Sequence, residues 1–196
     1  MTRSSILART PDLITIARLL SVPVLAWFAY KQMHTAFAAL LLPALLSDVV
    51  DGWLARKLGV TSDIGALLDS VADILLMAVM LYAIWPLHPH VYRDHGWAII
   101  AVVILLALMH LASLLRFGRL ASFHTHLIRG GIFVFSVFSV VLFTFGFVPW
   151  LLYLAGFVCT LGALEHFAIL AVLPEWKPNI HGGLPEALRL RRERKR

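Results

Sequence analysis

Residues 48–73 read DVVDGWLARKLGVTSDIGALLDSVAD and interrupt a chain that is otherwise strongly apolar. Two spaced pairs of aspartates, Asp48 with Asp51 and Asp69 with Asp73, lie here among leucine, valine, alanine and isoleucine. A carboxylate at the centre of a membrane helix costs roughly 2.5–3.5 kcal/mol on insertion scales. Four such carboxylates require a compensating partner, and the pattern predicts that this partner is bound metal.

The composition indicates that a lipid bilayer surrounds this stretch. Of the 196 residues, 60% are hydrophobic and only 14% are charged, and the mean hydropathy is +0.85. Soluble domains carry about a quarter charged residues, and several apolar runs here reach the roughly 20 residues that cross a bilayer as a helix. We therefore predict an all-α integral membrane protein with a single domain over residues 1–196 and no separate soluble domain.

The apolar runs predict a bundle of six transmembrane helices. They cover about residues 13–30, 35–57, 63–85, 96–115, 130–145 and 150–173. The run Thr10-Pro11-Asp12 has the N-cap, the proline and the acidic first turn that begin a helix. The first apolar segment is too long for a signal peptide and lacks a cleavage site, so we read it as a retained helix. A basic tail follows at about residues 177–196.

The distribution of lysine and arginine orients this bundle. Six helices place both termini on one side, which collects the N-terminal arginines, Arg56, Lys57, residues 116–129 and the tail. The opposite side has little beyond Lys31 and Arg93. The positive-inside rule therefore predicts cytoplasmic termini and a cytoplasm-facing active site at the aspartate-bearing helix ends. Although the net charge is +6, we expect no nucleic-acid partner, because no soluble fold accompanies the tail.

Helical spacing shows how the four aspartates can converge. On the second helix, positions i, i+3, i+4 and i+7 share one face, and they are Asp48, Asp51, Gly52 and Ala55. On the third helix, positions i, i+4 and i+8 form a stripe of Gly65, Asp69 and Asp73. A short connector makes the two helices antiparallel neighbours, so the two faces can oppose each other.

The residue types favour phosphoryl transfer. Oxygen ligands without cysteine or nearby histidine suit Mg²⁺, Mn²⁺ or Ca²⁺ rather than Zn²⁺ or Cu²⁺, and four carboxylates can hold two such ions. Gly52, Ala55 and Gly65 leave room for a nucleotide, and Arg56 suits a phosphate. Intramembrane aspartates also serve cation or proton transporters, which is the alternative of a different class. A proton relay, however, does not require Gly-x-x-Ala-Arg between its acidic pairs.

The spacing D-x2-D-G-x2-A-R-x8-G-x3-D-x3-D is identified as the signature of the CDP-alcohol phosphotransferases, and the chain matches it without a gap. The matching residues are Asp48, Asp51, Gly52, Ala55, Arg56, Gly65, Asp69 and Asp73. The resemblance implies that an acceptor hydroxyl attacks the β-phosphorus of a CDP-linked donor and that CMP leaves. It also implies two Mg²⁺ or Mn²⁺ ions on the four aspartates, a CMP pocket shaped by the small residues, and Asp73 as an additional general base.

The resemblance, which extends to bacterial phosphatidylglycerophosphate synthase-like members, further implies a phospholipid-forming enzyme of the bacterial inner membrane that works as a homodimer. CDP-diacylglycerol is the expected donor and sn-glycerol 3-phosphate the preferred acceptor. Inositol phosphate, serine and phosphatidylglycerol stay open as acceptors. The arginines expected to contact the acceptor or a phosphate are Arg18, Arg116, Arg119 and Arg129.

Two further polar features lie outside the signature. Many family members open with Pro-Asn before the first helix, whereas this chain has Pro11-Asp12, so we read Asp12 as a charge at a helix N-terminus. Glu165 and His166 form a polar pair in the sixth apolar run, and we predict that they make a helix-packing hydrogen bond and take no part in catalysis.

Overall fold

A computed structural model describes residues 10–58, 63–118, 125–173 and 183–194. Within these residues the chain is α-helical apart from short connections, and they contain no strand. The helices are α1 Thr10–Tyr30, α2 His34–Leu58, α3 Asp63–Leu87, α4 Pro89–Phe117, α5 His126–Phe145, α6 Pro149–Val172 and α7 Gly183–Arg194. The prediction of an all-helical protein is confirmed for this part of the chain.

Two helices begin earlier than predicted. The loop predicted at residues 86–95 is wrong for most of its length, because α4 begins at Pro89 and not near residue 96. A proline fits the first turn of a helix, where its missing N–H has no intrahelical partner to lose. Similarly, α5 begins at His126 and not near residue 130, and the Thr125 hydroxyl oxygen accepts a weak hydrogen bond from the Ile128 N–H at 3.4 Å.

Among the described residues, four segments are long and apolar enough to cross a membrane. They lie in α1, α4, α5 and α6 and comprise Leu13–Tyr30, Pro89–Phe117, Leu127–Phe145 and Pro149–Val172. In α2 and α3 the described side chains include the shorter apolar stretches His34–Ser47 and Val71–Leu87. A membrane protein is therefore indicated, while the number of six spans stays a prediction.

The chain divides into two compact units, Met1–Arg93 with Ser139–Phe147, and Asp94–Phe138 with Val148–Arg196. In the first unit, α1 packs against both α2 and α3. Its core combines small side chains with large ones, namely Leu25, Ala29, Phe37, Leu41, Ala72, Leu76 and Ala83. Buried alanines allow helix backbones to approach closely, and this packing brings one face of α1 against the acidic stripe of α3.

In the second unit, α5 and α6 approach each other at two glycines. A Cβ atom added to Gly131 would lie 2.9 Å from the Cys159 sulfur and 3.3 Å from the Cys159 backbone nitrogen. A Cβ atom added to Gly162 would lie 3.2 Å from the backbone nitrogen of Ile128. Because backbone atoms cannot rotate away as a side chain can, larger residues at these positions must push the two helices apart.

We therefore expect Gly131→Ala to destabilise the protein by roughly 1–3 kcal/mol, the usual cost of overpacking. Gly130→Ala is the matched control, since its Cβ would make an ordinary contact of 3.7 Å with Val158. Thermal unfolding in the same detergent measures both variants. A midpoint that falls equally for the two glycines would contradict a close approach at Gly131.

Candidate active site

The two aspartate pairs lie on consecutive helices. They are near the end of α2 and near the beginning of α3, the two helix ends that the short connector joins. The C-terminal half of α2 carries Asp48, Asp51, Gly52, Ala55 and Arg56, and the N-terminal half of α3 carries Gly65, Asp69 and Asp73. The predicted helical placement of the signature is thus confirmed. The side chains of Asp69 and Asp73 are described, whereas those of Asp48, Asp51, Ala55 and Arg56, and the space around Gly52 and Gly65, lie outside the described part.

Arg18 on α1 holds both described aspartates. Its Nη1 donates a hydrogen bond to Asp73 Oδ1 at 2.5 Å, and its Nη2 donates to Asp69 Oδ1 at 2.7 Å. One guanidinium reaches both carboxylates because Asp69 and Asp73 stand at i and i+4 on one face of α3. The planar fork of arginine suits such a bridge, whereas the single ammonium of lysine does not.

The three side chains differ sharply in their exposure. The Arg18 side chain is 0% exposed, while those of Asp69 and Asp73 are 45% and 51% exposed. Two neighbouring carboxylates therefore balance a fully buried positive charge, which would otherwise be strongly destabilising. Because about half of each carboxylate surface remains open, a cation or a substrate can still reach both aspartates.

The prediction for Arg18 was a contact with a phosphate or with the acceptor, and its carboxylate partners were missed. The two partners lie 51 and 55 residues away along the chain. No periodicity or local spacing connects α1 to α3 over that distance. The available signal was an arginine inside an apolar helix, which needs a counter-charge as much as an aspartate does.

The oxygen-only donor set of the signature fits a hard divalent cation. Among the described side chains, no group of three or more histidine, cysteine, aspartate or glutamate residues could hold a metal ion. The side chains of Asp48 and Asp51 are not among those that the structure describes. The metal site of four carboxylates therefore stays a prediction. The two described members, Asp69 and Asp73, share one face, and each is about half exposed, so a cation can reach both.

The remaining arginines of the predicted site lie in the second unit or outside the described residues. Arg116 is exposed in the last turn of α4, and its Nη2 donates to the Leu173 carbonyl at 3.1 Å. Arg129 is exposed in the first turn of α5, and Arg119 lies outside the described part. Their predicted contacts with an acceptor or a phosphate stay predictions.

The polar pair of α6 contacts two other helices. His166 is buried, and its Nε2 lies 2.8 Å from the hydroxyl of Ser113 on α4. That hydroxyl also donates to the Met109 carbonyl at 3.1 Å, so a proton on Nε2 satisfies both groups. The helix-packing hydrogen bond is therefore confirmed for His166, and Glu165 contacts α7 instead.

A histidine cluster at the junction of α3 and α4 escaped the sequence analysis. The ring of His88 lies 5.6 Å from that of His34 and 5.8 Å from that of His90, and it also contacts Phe143. Burial, followed by the two neighbouring histidines, lowers the pKa of His88 from 6.5 to about 4. His88 is thus neutral at pH 7, and the cluster is an aromatic packing element at the end of α3 that is remote from Asp69.

Comparison with known proteins gives the family. The family model described as CDP-alcohol phosphatidyltransferase matches residues 8–166. A CDP-diacylglycerol–glycerol-3-phosphate 3-phosphatidyltransferase of Pseudomonas fluorescens is 32% identical over 111 residues, which are 54% of this chain and 53% of the relative. A cardiolipin synthase (CMP-forming) of Oryza sativa subsp. japonica is 36% identical over 92 residues, covering 44% of this chain and 28% of the relative.

A third relative matches a shorter stretch of the chain. The CDP-diacylglycerol–glycerol-3-phosphate 3-phosphatidyltransferase of Aquifex aeolicus (strain VF5) is 33% identical over 63 residues, covering 32% of this chain and 35% of the relative. The chain thus spans about half or less of the length of these curated relatives, and no solved structure matches it. Because the family model covers most of the chain, including both aspartate pairs, the chain belongs to the CDP-alcohol phosphatidyltransferase family.

Proposed function

We propose that this protein transfers a phosphatidyl group from CDP-diacylglycerol to the hydroxyl of sn-glycerol 3-phosphate and releases CMP. The observation that carries the proposal is the ungapped signature on α2 and α3, whose last two aspartates share a face and remain half-exposed. The names of the Pseudomonas and Aquifex relatives support glycerol 3-phosphate as the acceptor. The cardiolipin synthase relative supports phosphatidylglycerol as the alternative acceptor.

In the proposed site, Asp48, Asp51, Asp69 and Asp73 hold two divalent cations, Mg²⁺ or Mn²⁺. When bound, such ions polarise the phosphorus centre and neutralise the charge that develops on the leaving CMP. Carboxylate oxygen is the ligand that these cations prefer, and the exposure of Asp69 and Asp73 leaves their coordination accessible.

Asp73 is the proposed general base. The acceptor oxygen attacks the β-phosphorus, its proton passes to Asp73, and the bond between the β-phosphorus and the CMP oxygen breaks. Asp73 Oδ1 accepts a hydrogen bond from Arg18, which fixes the position of this carboxylate on α3. A base must hold its oxygen at a defined place beside the hydroxyl, and Arg18 supplies that restraint.

The remaining signature residues are proposed to bind the donor. Gly52, Ala55 and Gly65 lack long side chains, so they leave space for the cytidine beside the acidic pairs. Arg56 follows directly on the same helix and is proposed to bind the diphosphate, since guanidinium groups pair with phosphate oxygens bidentately. Arg116, Arg119 and Arg129 are proposed to bind the phosphate of the acceptor.

The proposed topology has six membrane spans, with both termini and the active site at the cytoplasmic face of a bacterial inner membrane. The aspartate-bearing ends of α2 and α3 would then lie at the boundary, where a soluble acceptor can arrive. The positive-inside rule supports this orientation through five exposed arginines, namely Arg116 at the end of α4, Arg129 in α5, and Arg189, Arg191 and Arg192 in α7. A homodimer is proposed from the family resemblance.

An acceptor screen tests the function. Purified protein with CDP-diacylglycerol and Mn²⁺ or Mg²⁺ is expected to release CMP with sn-glycerol 3-phosphate, and EDTA should abolish the release until metal is restored. The control reactions contain inositol phosphate, serine, phosphatidylglycerol or no acceptor. CMP release with none of these acceptors, together with acceptor-independent cation flux in liposomes, would instead support the transporter.

A further inference from the structure

The C-terminal helix α7 is joined to α6 by a specific contact. Gly183 begins α7 with a φ of +63°, a conformation that favours glycine. The carboxylate of Glu165 fills the space that a Cβ atom on Gly183 would need. Its Oε1 also accepts a weak hydrogen bond from the Leu184 N–H at 3.4 Å, and a negative charge is favourable at a helix N-terminus.

Apolar side chains of α7 also pack against α6. Ala187 is fully buried in a cluster with Ile169, Leu170 and Leu173, and Leu184 packs against the same cluster. Phe117 and Ala112 of α4 also border it. One side of α7 is therefore docked against the ends of α4 and α6 within the second unit.

This docking site lies where two candidate membrane spans end. α6 ends at Val172 and α4 at Phe117, and both contain segments able to cross a bilayer. Arg116 in the last turn of α4 donates to the carbonyl of Leu173, directly after α6. The two helices therefore end at the same level. α7 begins beside Glu165, seven residues before the end of α6, and Ala187 packs in the cluster that includes Leu173, so the arginines that follow Ala187 lie at the depth of the lipid headgroups.

The accessible side of α7 is basic. Arg189, Arg191 and Arg192 are exposed, and Leu188 is 39% exposed. On the helix surface, Leu188 is a neighbour of Arg191 at i+3 and of Arg192 at i+4. An apolar side chain flanked by guanidinium groups is typical of a helix that lies in a membrane interface.

We propose that α7 is a docking surface for anionic phospholipids. Guanidinium groups bind phosphate oxygens bidentately, and the anionic surface of a membrane attracts basic segments next to a span. The joint at Glu165 and Gly183 holds α7 in place, so the arginines meet the headgroups as an ordered set. The inference requires only that α4 and α6 span the membrane, and it does not depend on the proposed transferase activity.

The experiment places a fluorescent label on α7. Because the chain has a single cysteine, replacing it allows one new cysteine to carry the label. In a Cys159→Ser background, Leu188→Cys carries an environment-sensitive fluorophore, and the full-length protein is placed in nanodiscs of phosphatidylcholine with or without phosphatidylglycerol. We expect a blue-shifted emission in the anionic discs that high salt reverses, because salt screens surface charge. Replacement of the three exposed arginines by glutamine should remove more than half of the shift, whereas replacement by lysine should retain most of it.

The variant Gly183→Ala distinguishes a docked helix from a flexible basic tail. It disrupts the contact between Glu165 and Gly183, and it leaves every charge in place. We expect this variant to lose the lipid-dependent shift while its circular dichroism and thermal midpoint stay close to those of the labelled parent. A full shift in Gly183→Ala or in the glutamine variant would overturn the proposal, as would equal spectra in both kinds of disc. A blue-shifted emission that is equal in both kinds of disc and that is lost when the protein is dissociated into monomers would overturn it in favour of a second copy on α7.

Discussion

Asp73→Asn is expected to lower the rate of CMP release by about 10²–10⁴-fold, the contribution that a positioned general base usually makes. Asparagine keeps the shape of the side chain and an oxygen that can accept from Arg18, but it cannot take the proton of the acceptor. The fold should survive, because Asp69 still balances the buried guanidinium. The rate of CMP release at saturating donor and acceptor is the measurement.

Asp69→Asn is the matched control for Asp73→Asn. Both aspartates pair with Arg18 through Oδ1, and their exposures of 45% and 51% are similar. Because Asp69 is proposed to serve only the metal site, excess Mn²⁺ should restore part of the activity of Asp69→Asn and little of that of Asp73→Asn. Equal rescue of the two variants by metal would contradict the assignment of the base to Asp73.

Arg18→Gln is expected to produce the second large effect, a loss of stability that divalent metal partly repairs. Breaking a buried ion pair costs about 3–5 kcal/mol, and the half-exposed carboxylates reduce this to roughly 1–3 kcal/mol because water screens them. Without metal, the variant removes from Asp69 and Asp73, two neighbours of like charge, the positive charge that they share. Bound cations would neutralise the same two carboxylates, so the deficit should shrink in Mn²⁺.

The measurement for Arg18→Gln is the thermal midpoint in EDTA and in Mn²⁺, compared with the wild type under both conditions. Arg93→Gln is the control, because Arg93 is an exposed arginine in the same unit. CMP release by Arg18→Gln should fall by about 10²-fold through misplacement of the base, and Arg18→Lys should not restore it, since one ammonium cannot bridge two carboxylates. An equal loss of stability in EDTA and in Mn²⁺ would mean that Arg18 has no link to the metal site.

Much of the local structure around the candidate site could be predicted from the sequence. Asp69 and Asp73 were expected on one helical face, and a single guanidinium does reach both of them. This succeeded because a helix determines the angle between residues four positions apart, whatever surrounds it. The family was predictable for a similar reason, since its signature is a local pattern of 26 residues, from 48 to 73.

The helix limits were less predictable. Arg93, Asp94 and His95 resembled a polar loop in composition, yet α4 begins at Pro89 and includes them. Polar side chains are compatible with a helix wherever it is exposed, so composition alone does not separate a loop from the polar end of a long helix. The basic tail also differs from its prediction, because part of it forms the helix α7, which packs against α6.

The sequence by itself determined that this is a strongly apolar, helical chain with two pairs of carboxylates at helical spacing. It also contained the signature of a family that transfers phosphatidyl groups. Only the tertiary structure decided which charge balances those carboxylates and where the basic tail lies. Both features depend on contacts between distant segments, Arg18 with Asp69 and Asp73, and Glu165 with the start of α7. Such contacts arise from the packing of one helix on another, and the spacing of residues within a helix carries no information about them.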